Sequence, residues 1–338
     1  MNLVLLGFGN IGQGFARTLL RKMKFLSKRY GLTPRIIAAV DVDGAVVDES
    51  GLDIEKLLET AEEKGTVAEY PRKGEKGRSG VEVIRNIKAD VVFELTPTNI
   101  EDGEPGLTHI KEAITAGRDV ITSNKGPLVV AFRELNEMAA NFGVEFRYSA
   151  SVGGAIPIIG LVRDQLAGDE VYSIQGVLNG TTNYILTRMA MEGAPFDVVL
   201  REAQELEIAE KDPTLDVEGI DTACKVTVLA NALLDWDSRL DDVDITGIRR
   251  VGPDVTRLAQ ETKNTVKLVG VANSEKLEVS PRLVPIGHPL DVRGTLNAIT
   301  LETDLAREIS ISGFGAGPQE TSSALLGDMI EIYRSKGD

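Results

Sequence analysis

The chain has 338 residues, of which 42% are hydrophobic and 26% charged, and its formal net charge is −15. This length predicts two domains rather than a single core, and the composition is that of a globular protein in water. The negative charge argues against nucleic acid and anionic membranes as partners, because both need a basic surface. The chain has no signal-peptide pattern, no membrane-length apolar run and only one cysteine, Cys224, so we expect a cytoplasmic protein without an internal disulfide.

The first predicted elements are a strand, a glycine turn and a helix. Residues 3–6 are wholly apolar, the segment Gly7-Phe8-Gly9-Asn10-Ile11-Gly12-Gln13-Gly14 follows directly, and a helical pattern runs on from Phe15. The spacing G-x-G-x-x-G between a buried strand and a helix places backbone N–H groups and a helix N-terminus where a dinucleotide pyrophosphate binds. The alternative interpretation is a glycine turn that binds nothing.

Two segments bear on the choice of dinucleotide. A second predicted strand, 35–40, ends at Asp41, 29 residues after Gly12 and therefore farther away than the usual distance of about 20. An acid in this position hydrogen-bonds ribose hydroxyls and repels a 2′-phosphate, which favours NAD. The basic, glycine-rich segment 71–80 offers a loop for a phosphate, although it is more typical of a mobile linker. The sequence thus predicts NAD or NADP.

Two further predicted strands bring polar residues to the same sheet edge. The strand 89–95 is followed by Thr96, and the strand 119–122 is followed by Ser123-Asn124-Lys125. In open α/β sheets ligands bind outside the carboxyl ends of the strands, so these residues are expected near the nicotinamide. A helix to about residue 142 follows. Neither His109 nor His288 has a metal-ligand neighbour at useful spacing, so no zinc site is predicted.

The second half of the chain is richer in strand patterns. Predicted strands cover 146–152, 171–178, 243–248, 265–272, 277–283 and 299–304, and a final helix covers 321–334. We therefore predict an α/β protein. A Rossmann-type parallel-sheet, dinucleotide-binding domain would span 1–144 and be completed by the C-terminal helix at 318–338. An α+β substrate-binding, catalytic and dimerisation domain with a largely antiparallel sheet would span 145–317.

The segment 207–225 carries more charge than its surroundings. Asp221 and Lys225 are four residues apart and therefore share one face of a predicted helix, and that helix is apolar on nearly every side, which indicates burial. Three further carboxylates precede it: Glu210, Asp212 and Asp216. Paired carboxylates with a lysine are suited to binding an amino group and moving a proton. A structural ion pair is the alternative. We interpret Cys224 on this helix as a core residue rather than a nucleophile.

Five segments together resemble homoserine dehydrogenase over essentially the whole chain. They are Gly7-Phe8-Gly9-Asn10-Ile11-Gly12, Ser123-Asn124-Lys125, Val152-Gly153-Gly154-Ala155-Ile156-Pro157-Ile158, Asn179-Gly180-Thr181-Thr182-Asn183-Tyr184-Ile185, and Asp212-Pro213-Thr214 through Lys225. The resemblance implies reduction of aspartate 4-semialdehyde to homoserine with NADH or NADPH, on the route to threonine and methionine. It also leads us to expect a small-molecule substrate and a homodimer.

The resemblance further implies roles for individual residues. The dinucleotide would contact Phe8, Gly9, Asn10, Ile11, Gly12, Gln13, Thr96, Lys125 and Gly317. The amino acid would bind to Gly180, Thr181, Glu210, Asp216 and Asp221. Lys225 would donate the proton, Asp221 would orient it, and Lys125 would stand near both nicotinamide and substrate. Carbonyl oxygens of Val152, Gly154 and Ile156, with Ser149 nearby, match a loop for Na⁺ or K⁺.

Three features depart from the family pattern. Glu207-Ile208 stands where a Gly-Tyr pair is usual, Ser149 replaces a common glutamate, and we expect no regulatory module of the ACT type after Arg334. A dinucleotide sensor without turnover is one rival function, but it predicts damaged catalytic positions, and both lysines and Asp221 are present. Aldehyde oxidation through a cysteine thioester is another, and it requires an exposed thiol that Cys224 does not provide.

Overall fold

The computed structural model describes residues 1–337, which form two compact units. Unit 1 comprises Met1–Ser151 together with the chain from Gly317 onward, and unit 2 comprises Val152–Ala316. The sequence analysis placed the first boundary at 144/145, seven residues earlier. None of the helices within the described residues is long and apolar enough to cross a membrane.

Unit 1 alternates strands and helices. Its strands are β1 (Asn2–Leu6), β2 (Arg35–Val40), β3 (Gly44–Val47), β4 (Gly74–Lys76), β5 (Val91–Glu94), β6 (Asp119–Thr122) and β7 (Phe146–Arg147). Its helices before the boundary are α1 (Asn10–Tyr30), α2 (Ile54–Lys64), α3 (Gly80–Asn86), α4 (Gly106–Thr115) and α5 (Lys125–Phe142), with 3₁₀ turns at Val67–Glu69 and Ser149–Ser151. Long apolar-periodic segments such as α1 and α5 were predicted; α2, α3 and β3 were not.

The strands of unit 1 form one sheet in the order β4-β3-β2-β1-β5-β6-β7. Strands β2, β1, β5, β6 and β7 run parallel, and only the β2–β3 and β3–β4 pairs are antiparallel. The predicted Rossmann-type parallel sheet is therefore confirmed. The chain moves from β1 outward to β2, then returns to the other side of β1 at β5, which makes the β1–β5 edge the topological switch point where ligands bind in such sheets.

Two sequence predictions at this sheet were wrong. The segment 71–80, interpreted as a mobile linker, contains β4, which pairs with β3 at Gly44–Val46. A Cβ atom at Gly44 would lie 2.2 Å from the Glu75 carbonyl oxygen, so this pairing requires glycine there. The predicted strand 146–152 is only two residues long, and it pairs with β6 instead of belonging to the second sheet. The 3₁₀ turn at Ser149–Ser151 ends it.

The core of unit 1 is built on apolar residues from both ends of the chain. Phe15 of α1 packs on Phe93 of β5 with ring centroids 4.5 Å apart. Leu325, Met329 and Ile332 are fully buried in the same cluster, and they belong to the last helix of the chain, α12 (Pro318–Ser335). Each such side chain contributes about 1.5–3 kcal/mol through removal from water, so the C-terminal helix is an integral part of this unit.

Unit 2 combines a sheet with a helical layer. Its elements are α6 (Ile158–Gln165), β8 (Val171–Val177), α7 (Gly180–Glu192), α8 (Phe196–Glu205), α9 (Thr214–Val217), α10 (Ile220–Leu233), β9 (Asp244–Ile245), α11 (Pro253–Glu261), β10 (Asn264–Asn273), β11 (Lys276–Pro285), β12 (Leu296–Thr303) and β13 (Glu308–Phe314). The strand order is β13-β12-β8-β10-β11-β9, and only β9 runs parallel to its neighbour. The largely antiparallel second sheet is therefore confirmed.

Two elements of unit 2 differ from the sequence prediction. The predicted strand 243–248 shrinks to β9, two residues long, and the segment 308–314, for which no strand was predicted, is the edge strand β13. Its alternation of Ile309 and Ile311 with serines is a two-residue strand period, which the glycines after it obscured.

Helix α10 is buried as predicted. Every residue from Thr222 to Asn231 is buried, and Cys224 is 1% exposed, which confirms its interpretation as a core residue. The helix approaches β10 closely at Gly270, where a Cβ atom would lie 3.3 Å from side-chain carbons of Thr222 and Val226. This close packing carries Asp221 and Lys225 on a rigid element.

Candidate active site

In unit 1, the glycine turn connects β1 to α1 and packs against the residues that follow β5. Gly7 has φ +94°, and a Cβ atom there would lie 2.6 Å from the carbonyl group of Leu95, so no side chain fits. A Cβ atom at Gly12 would lie 2.4 Å from the Gly7 carbonyl oxygen. Both glycines are therefore needed for α1 to start immediately against the sheet.

The start of α1 fits an anionic group. Gly9, its N-cap, supplies no side-chain hydrogen bond, and the first turn carries no acidic residue. The first N–H groups of a helix lack intrahelical acceptors, and the helix dipole adds a partial positive charge there. A pyrophosphate has the charge and acceptor oxygens for this turn.

The residues predicted to contact the dinucleotide lie around this turn, with one qualification. Phe8 is 3% exposed and its ring belongs to the core, so only its backbone faces a ligand. The Gln13 side chain donates to the Phe8 carbonyl at 3.2 Å. At the C-terminal helix, Pro318 packs against Gly14, where a Cβ atom would be 2.9 Å from the proline Cβ. The adjacent Gly317 is thereby held beside the first turn of α1.

Thr96 and Lys125 lie along the same edge of the sheet. A Cβ atom at Gly7 would be 2.7 Å from the Thr96 nitrogen, so Thr96 directly follows the contact between the two strand ends. Asn124 caps α5 by accepting from the Gly126 N–H at 3.0 Å, and its side-chain amide donates to Thr96 Oγ1 at 3.3 Å. Lys125, the first residue of α5, is therefore anchored next to Thr96.

The carboxylate of Asp41 accepts hydrogen bonds within unit 1 that the sequence did not indicate. Its Oδ1 accepts hydrogen bonds from the backbone N–H groups of Asp43 and Gly44 and from the Thr66 hydroxyl, at 3.0, 3.2 and 3.0 Å. Its Oδ2 accepts from the Val67 N–H at 2.6 Å. A carboxylate offers about four acceptor positions, so a ribose hydroxyl would compete with bonds already made. The ribose contact of Asp41 stays a prediction.

Three of the four cations in the basic segment 71–80 are ion-paired with carboxylates, and the exposed Arg72 is the one without an ion pair among residues 1–337. Lys73 is ion-paired with Asp48, Lys76 lies 2.6 Å from Glu69, and Arg78 lies 2.8 Å from Glu75. Each of these charges is already balanced by a carboxylate of unit 1. The pairing disfavours this segment as the recognition site for a 2′-phosphate.

In unit 2, the ammonium of Lys225 is held by two acceptors. Its Nζ lies 2.7 Å from Asp221 Oδ2 and donates to the Leu178 carbonyl oxygen, also at 2.7 Å. The residue is 7% exposed. An ammonium has three N–H donors, and no third hydrogen bond forms with any residue from 1 to 337. One N–H is therefore available to a ligand.

Asn179 joins the two carboxylates of this cluster. Its Nδ2 donates to Asp216 Oδ1 at 2.6 Å and to Asp221 Oδ2 at 2.9 Å. Its Oδ1 accepts from the Thr182 N–H at 2.8 Å and so caps α7. The sequence analysis did not predict this bridging role for Asn179. The bridging role depends on contacts 37 and 42 residues away along the chain, which local patterns do not encode.

The environment of Asp216 alters its acidity. Burial and then the neighbouring Asp221 carboxylate raise the pKa of Asp216, while hydrogen bonding from Asn179 opposes the shift. A carboxylate whose charge is disfavoured in this way gains most from an added cation. The cluster is therefore suited to receive an ammonium group.

The other predicted substrate residues surround this pair. Gly180 and Thr181 form the first turn of α7, and the Thr181 hydroxyl donates to the Ile208 carbonyl oxygen at 3.0 Å. Glu210 lies exposed in the loop after α8, and its carboxylate makes no hydrogen bond or ion pair with residues 1–337. The structure thus groups Gly180, Thr181, Asp216, Asp221 and Lys225 in unit 2.

The residues predicted to bind a monovalent cation fall in both units. Val152, Gly154 and Ile156 lie in one tight turn of unit 2, where Gly153 and Gly154 have φ +82° and +54° and the Ile156 carbonyl accepts from the Ile158 N–H. Ser149 lies in unit 1, where its backbone N–H and hydroxyl donate to Asp328 at 3.0 and 2.7 Å. Among residues 1–337 no cluster of three or more His, Cys, Asp or Glu side chains could hold a metal.

Comparisons with known proteins agree with these features. The family model described as Homoserine dehydrogenase matches residues 157–330, and that described as Glutamate/Leucine/Phenylalanine/Valine dehydrogenase matches residues 1–96. A homoserine dehydrogenase of Methanocaldococcus jannaschii is 48% identical, with 99% of each chain covered. An NAD(+)-dependent homoserine dehydrogenase of Pseudomonas canavaninivorans is 36% identical, covering 98% of this chain and 96% of the relative.

A solved structure extends the similarity to the fold. The structure of a hyperthermophilic archaeal homoserine dehydrogenase in complex with NADPH has a TM-score of 0.85 and 27% sequence identity, covering 99% of this chain and 98% of that one. A switch-point glycine turn in one unit and a buried lysine–carboxylate cluster in the other define an NAD(P)-dependent oxidoreductase. The chain belongs to the homoserine dehydrogenase family, whose members interconvert L-homoserine and L-aspartate 4-semialdehyde.

Proposed function

We propose that Lys225 is the proton donor in the reduction of aspartate 4-semialdehyde to homoserine. The dinucleotide, when bound, supplies a hydride to the aldehyde carbon and leaves oxidised. The proton needed for balance goes from Lys225 Nζ to the carbonyl oxygen, which becomes the homoserine hydroxyl. In the reverse direction neutral Lys225 takes that proton back. A positioned acid of this kind contributes roughly 10²–10⁴ in rate.

The observation that carries this assignment is the hydrogen bonding of the Lys225 ammonium. Asp221 and the Leu178 carbonyl fix two of its N–H groups, each at 2.7 Å, while the third has no partner within residues 1–337. Such an ammonium is oriented before a substrate arrives, so the reaction requires little rearrangement of the donor. A purely structural ion pair would have no need of an unused N–H in a buried position.

We assign substrate binding to the same cluster. The amino group of the substrate is a cation, and Asp216, Asp221 and Glu210 supply carboxylates for it. The first-turn N–H groups of α7, at Gly180 and Thr181, supply donors for its carboxylate. Burial raises the pKa of Asp216, so the protonated form of this side chain persists to higher pH than is usual for aspartate. Substrate affinity should therefore decline as the pH is lowered.

Dinucleotide binding is assigned to unit 1. The helix N-terminus at Gly9–Gln13 would hold the pyrophosphate, and Thr96, Lys125 and Gly317 would border the rest of the cofactor. The family includes a relative named as NAD(+)-dependent and a structure with NADPH, so both NAD and NADP are cofactors to test.

A spectrophotometric assay tests the proposal. The protein is incubated with homoserine and either NAD or NADP, and the formation of reduced dinucleotide is followed. We expect turnover with at least one cofactor, and loss of turnover in Lys225→Met with dinucleotide binding retained. If Lys225→Met turned over at the parent rate, Lys225 would not be the proton donor, and Lys125 would be the remaining candidate.

We further propose that the turn at Val152–Ile156 binds Na⁺ or K⁺ through carbonyl oxygens. Two successive glycines with positive φ direct the backbone of this turn into a conformation that ordinary residues avoid. We expect activity or melting temperature to depend on the identity of the monovalent cation at constant ionic strength. Equal values in Na⁺, K⁺ and tetramethylammonium would contradict this.

We propose a homodimer formed through unit 2. Strand β13 is an edge strand of seven residues with no proline and one charged side chain, Glu308. Phe314, its last residue, and Leu305, in the turn before it, are 55% and 70% exposed. Unprotected edge strands of this kind pair with other chains, and a second copy of this protein is the proposed occupant. Light scattering should give twice the chain mass, and Phe314→Glu should lower it; a monomeric parent protein would refute the proposal.

We also propose a cytoplasmic location. Cys224 is the single cysteine of the chain and is buried, so it forms no internal disulfide that an oxidising compartment would favour. Fractionation of the source cells, with the protein detected by antibody, would test this.

A further inference from the structure

Glu94 is a fully buried carboxylate at the switch point of the unit 1 sheet. It is the last residue of β5 and is 0% exposed. The neighbouring loop begins with Leu95 and Thr96, the residues that approach Gly7 most closely. Glu94 therefore lies directly beneath the sheet edge at which the dinucleotide is proposed to bind.

Glu94 organises this edge through hydrogen bonds. Its Oε1 accepts from the Thr96 backbone N–H at 3.1 Å and from the Thr96 hydroxyl. Its Oε2 accepts from the Thr122 hydroxyl at 3.2 Å. The Thr122 hydroxyl also donates to the Glu94 backbone carbonyl oxygen at 2.9 Å, and its Oγ1 accepts from the Asn124 N–H at 3.0 Å, so Glu94 connects both loops at this edge.

The charge of Glu94 has little local compensation. Within residues 1–337, the one ion-pair contact of this carboxylate is with His109, whose Nδ1 lies 3.8 Å from Oε1 and has no hydrogen-bond partner. On the other side a Cβ atom at Gly106 would lie 3.0 Å from Oε2, so the space is closed there. A buried carboxylate without a close cation is costly, which suggests that it does more than maintain the fold.

The fold indicates which part of a dinucleotide would lie near Glu94. In sheets of this order the adenosine ribose is placed at the end of the second strand, here β2, on one side of the glycine turn. Strand β5 is on the other side, which is the nicotinamide side. An oxidised nicotinamide ring carries a positive charge and a reduced ring carries none. A fixed negative charge on this side therefore distinguishes the two redox forms.

We propose that Glu94 is a positioning residue of the dinucleotide site that also biases binding toward the oxidised cofactor. The inference rests on the proposed placement of the dinucleotide in unit 1. It assigns two effects to one side chain: its hydrogen bonds fix Thr96 and the Asn124 loop, and its charge stabilises the oxidised ring. Only the charge of Glu94 is expected to change the affinities for the oxidised and the reduced dinucleotide by different amounts.

The test compares ligand affinities of Glu94→Gln, which removes the charge and keeps the size. Dissociation constants are measured by calorimetry or fluorescence for NAD⁺, for NADH and for ADP-ribose, which lacks the nicotinamide. We expect the dissociation constant for NAD⁺ to rise about three- to tenfold more than the dissociation constant for NADH. ADP-ribose should be affected no more than NADH is.

A matched control uses the other fully buried carboxylate of the sheet, Asp119. It is 0% exposed, is the first residue of β6 and therefore lies at the opposite end of the strands, and is ion-paired with Lys336. Asp119→Asn should leave the NAD⁺ to NADH affinity ratio at the parent value. An equal shift of this ratio in both variants would overturn the proposal, because it would follow from loosened packing.

The remaining outcomes are also decisive. An unchanged ratio in folded Glu94→Gln, with all three ligands weakened equally, would reduce Glu94 to a structural residue and overturn the proposal. If Glu94→Gln does not fold, Asn124→Asp replaces it, since aspartate retains helix capping and adds charge at the same edge. This variant should favour NAD⁺ further, and a constant ratio would contradict the inference. Failure of the parent protein to bind any of the ligands would instead refute the dinucleotide assignment itself.

Discussion

Lys225 Nζ and Asp221 Oδ2 lie 2.7 Å apart on one face of helix α10. Their spacing of four residues predicted the shared face, and the structure confirms it. The pair is enclosed, with side-chain exposures of 8% and 17%. An ion pair in such a setting is weak evidence of stabilisation, because desolvation offsets much of the attraction. Its role in catalysis can therefore be separated from its role in folding by substitution.

Replacing the Lys225 ammonium should abolish turnover without abolishing cofactor binding. Lys225→Met keeps much of the apolar stem and removes the acid, so kcat should fall roughly 10²–10⁴-fold. Lys225→Arg keeps the charge but holds its proton too tightly to donate it, and we expect it to be nearly as inactive. Steady-state kinetics with homoserine, together with NADH titration, measure both effects.

The exposed Lys211 provides a matched control, since it lies in the same acidic segment. Lys211→Met should retain the parent kcat. If the Asp221–Lys225 pair were only structural, Lys225→Met would instead lose roughly 3–5 kcal/mol of stability, because the largely buried Asp221 carboxylate loses its cationic partner. A variant that melts far below the parent and cannot bind NADH would support that interpretation.

The bridging amide of Asn179 gives a second prediction. Asn179→Asp preserves the oxygen that caps α7 but replaces the donor to Asp216 and Asp221 with a third negatively charged oxygen. Repulsion among the three carboxylates should destabilise the protein at neutral pH, and protonation of one of them should relieve this. We expect the melting-temperature difference from the parent to shrink as the pH is lowered from 8 to about 5.

Asn231 is the appropriate comparison for that experiment. It is also buried, and it exchanges two hydrogen bonds of 2.8 Å with the backbone of Ser238. Asn231→Asp loses a donor without meeting the acidic cluster. A pH dependence as large in Asn231→Asp as in Asn179→Asp would show that the effect is generic for buried amides.

The sequence predicted what depends on local periodicity and spacing. The glycine turn, α5 and the buried helix α10 follow from neighbouring residues alone, and all three were found. The bridge from Asn179 to two carboxylates, the hydrogen bonds that occupy Asp41 and the burial of Glu94 depend on contacts between distant segments. Strands β3 and β4 were missed because they are short and form by pairing with other strands, β3 with β2 and β4 with β3, and because the glycine-rich composition suggested a loop.

The third prediction is that replacing Asp41 affects both the stability of the fold and the preference between NAD and NADP. Asp41→Ser removes a carboxylate that accepts four hydrogen bonds, so the protein should lose about 1–3 kcal/mol of stability. Loss of the negative charge should also improve the kcat/KM for NADP relative to NAD, because less repulsion of the 2′-phosphate remains. Thermal unfolding and kinetics with the two cofactors measure these effects separately.

A variant of the neighbouring Asp43 serves as the control that separates the loss of negative charge from the loss of stability. Its side chain is exposed, so Asp43→Ser removes a nearby charge at little cost in stability. If the ratio of kcat/KM for NADP to that for NAD is unchanged in Asp41→Ser, despite lowered stability, Asp41 does not face the ribose. A change in the ratio only in Asp43→Ser would assign discrimination to that residue.

Lys267 gives a prediction about pH and stability. It lies in β10, is 1% exposed, and its Nζ donates to Asn183 Oδ1 at 2.8 Å and to the Val292 carbonyl oxygen. Through Asn183 it supports α7, the helix that carries Gly180 and Thr181. Burial lowers the pKa of Lys267 from 10.5 to about 8, with Arg293 acting in the same direction and Asp291 opposing it.

The direction of the effect on stability follows from the two pKa values. Below pH 8 the folded and unfolded chains both hold the proton on Lys267, and above 10.5 neither does. Between these limits only the unfolded chain holds it, so the free energy of unfolding should rise with pH, by about 3 kcal/mol in total.

Other lysines and tyrosines titrate in the same window. The informative quantity is therefore the difference in free energy of unfolding between the parent and Lys267→Met, measured in denaturant titrations from pH 7.5 to 10.5. That difference should grow across the window because the variant lacks the rise. Lys276→Met, on the exposed start of β11, should follow the parent curve. Parallel curves for the parent and Lys267→Met would show that the Lys267 pKa is not lowered in the folded protein.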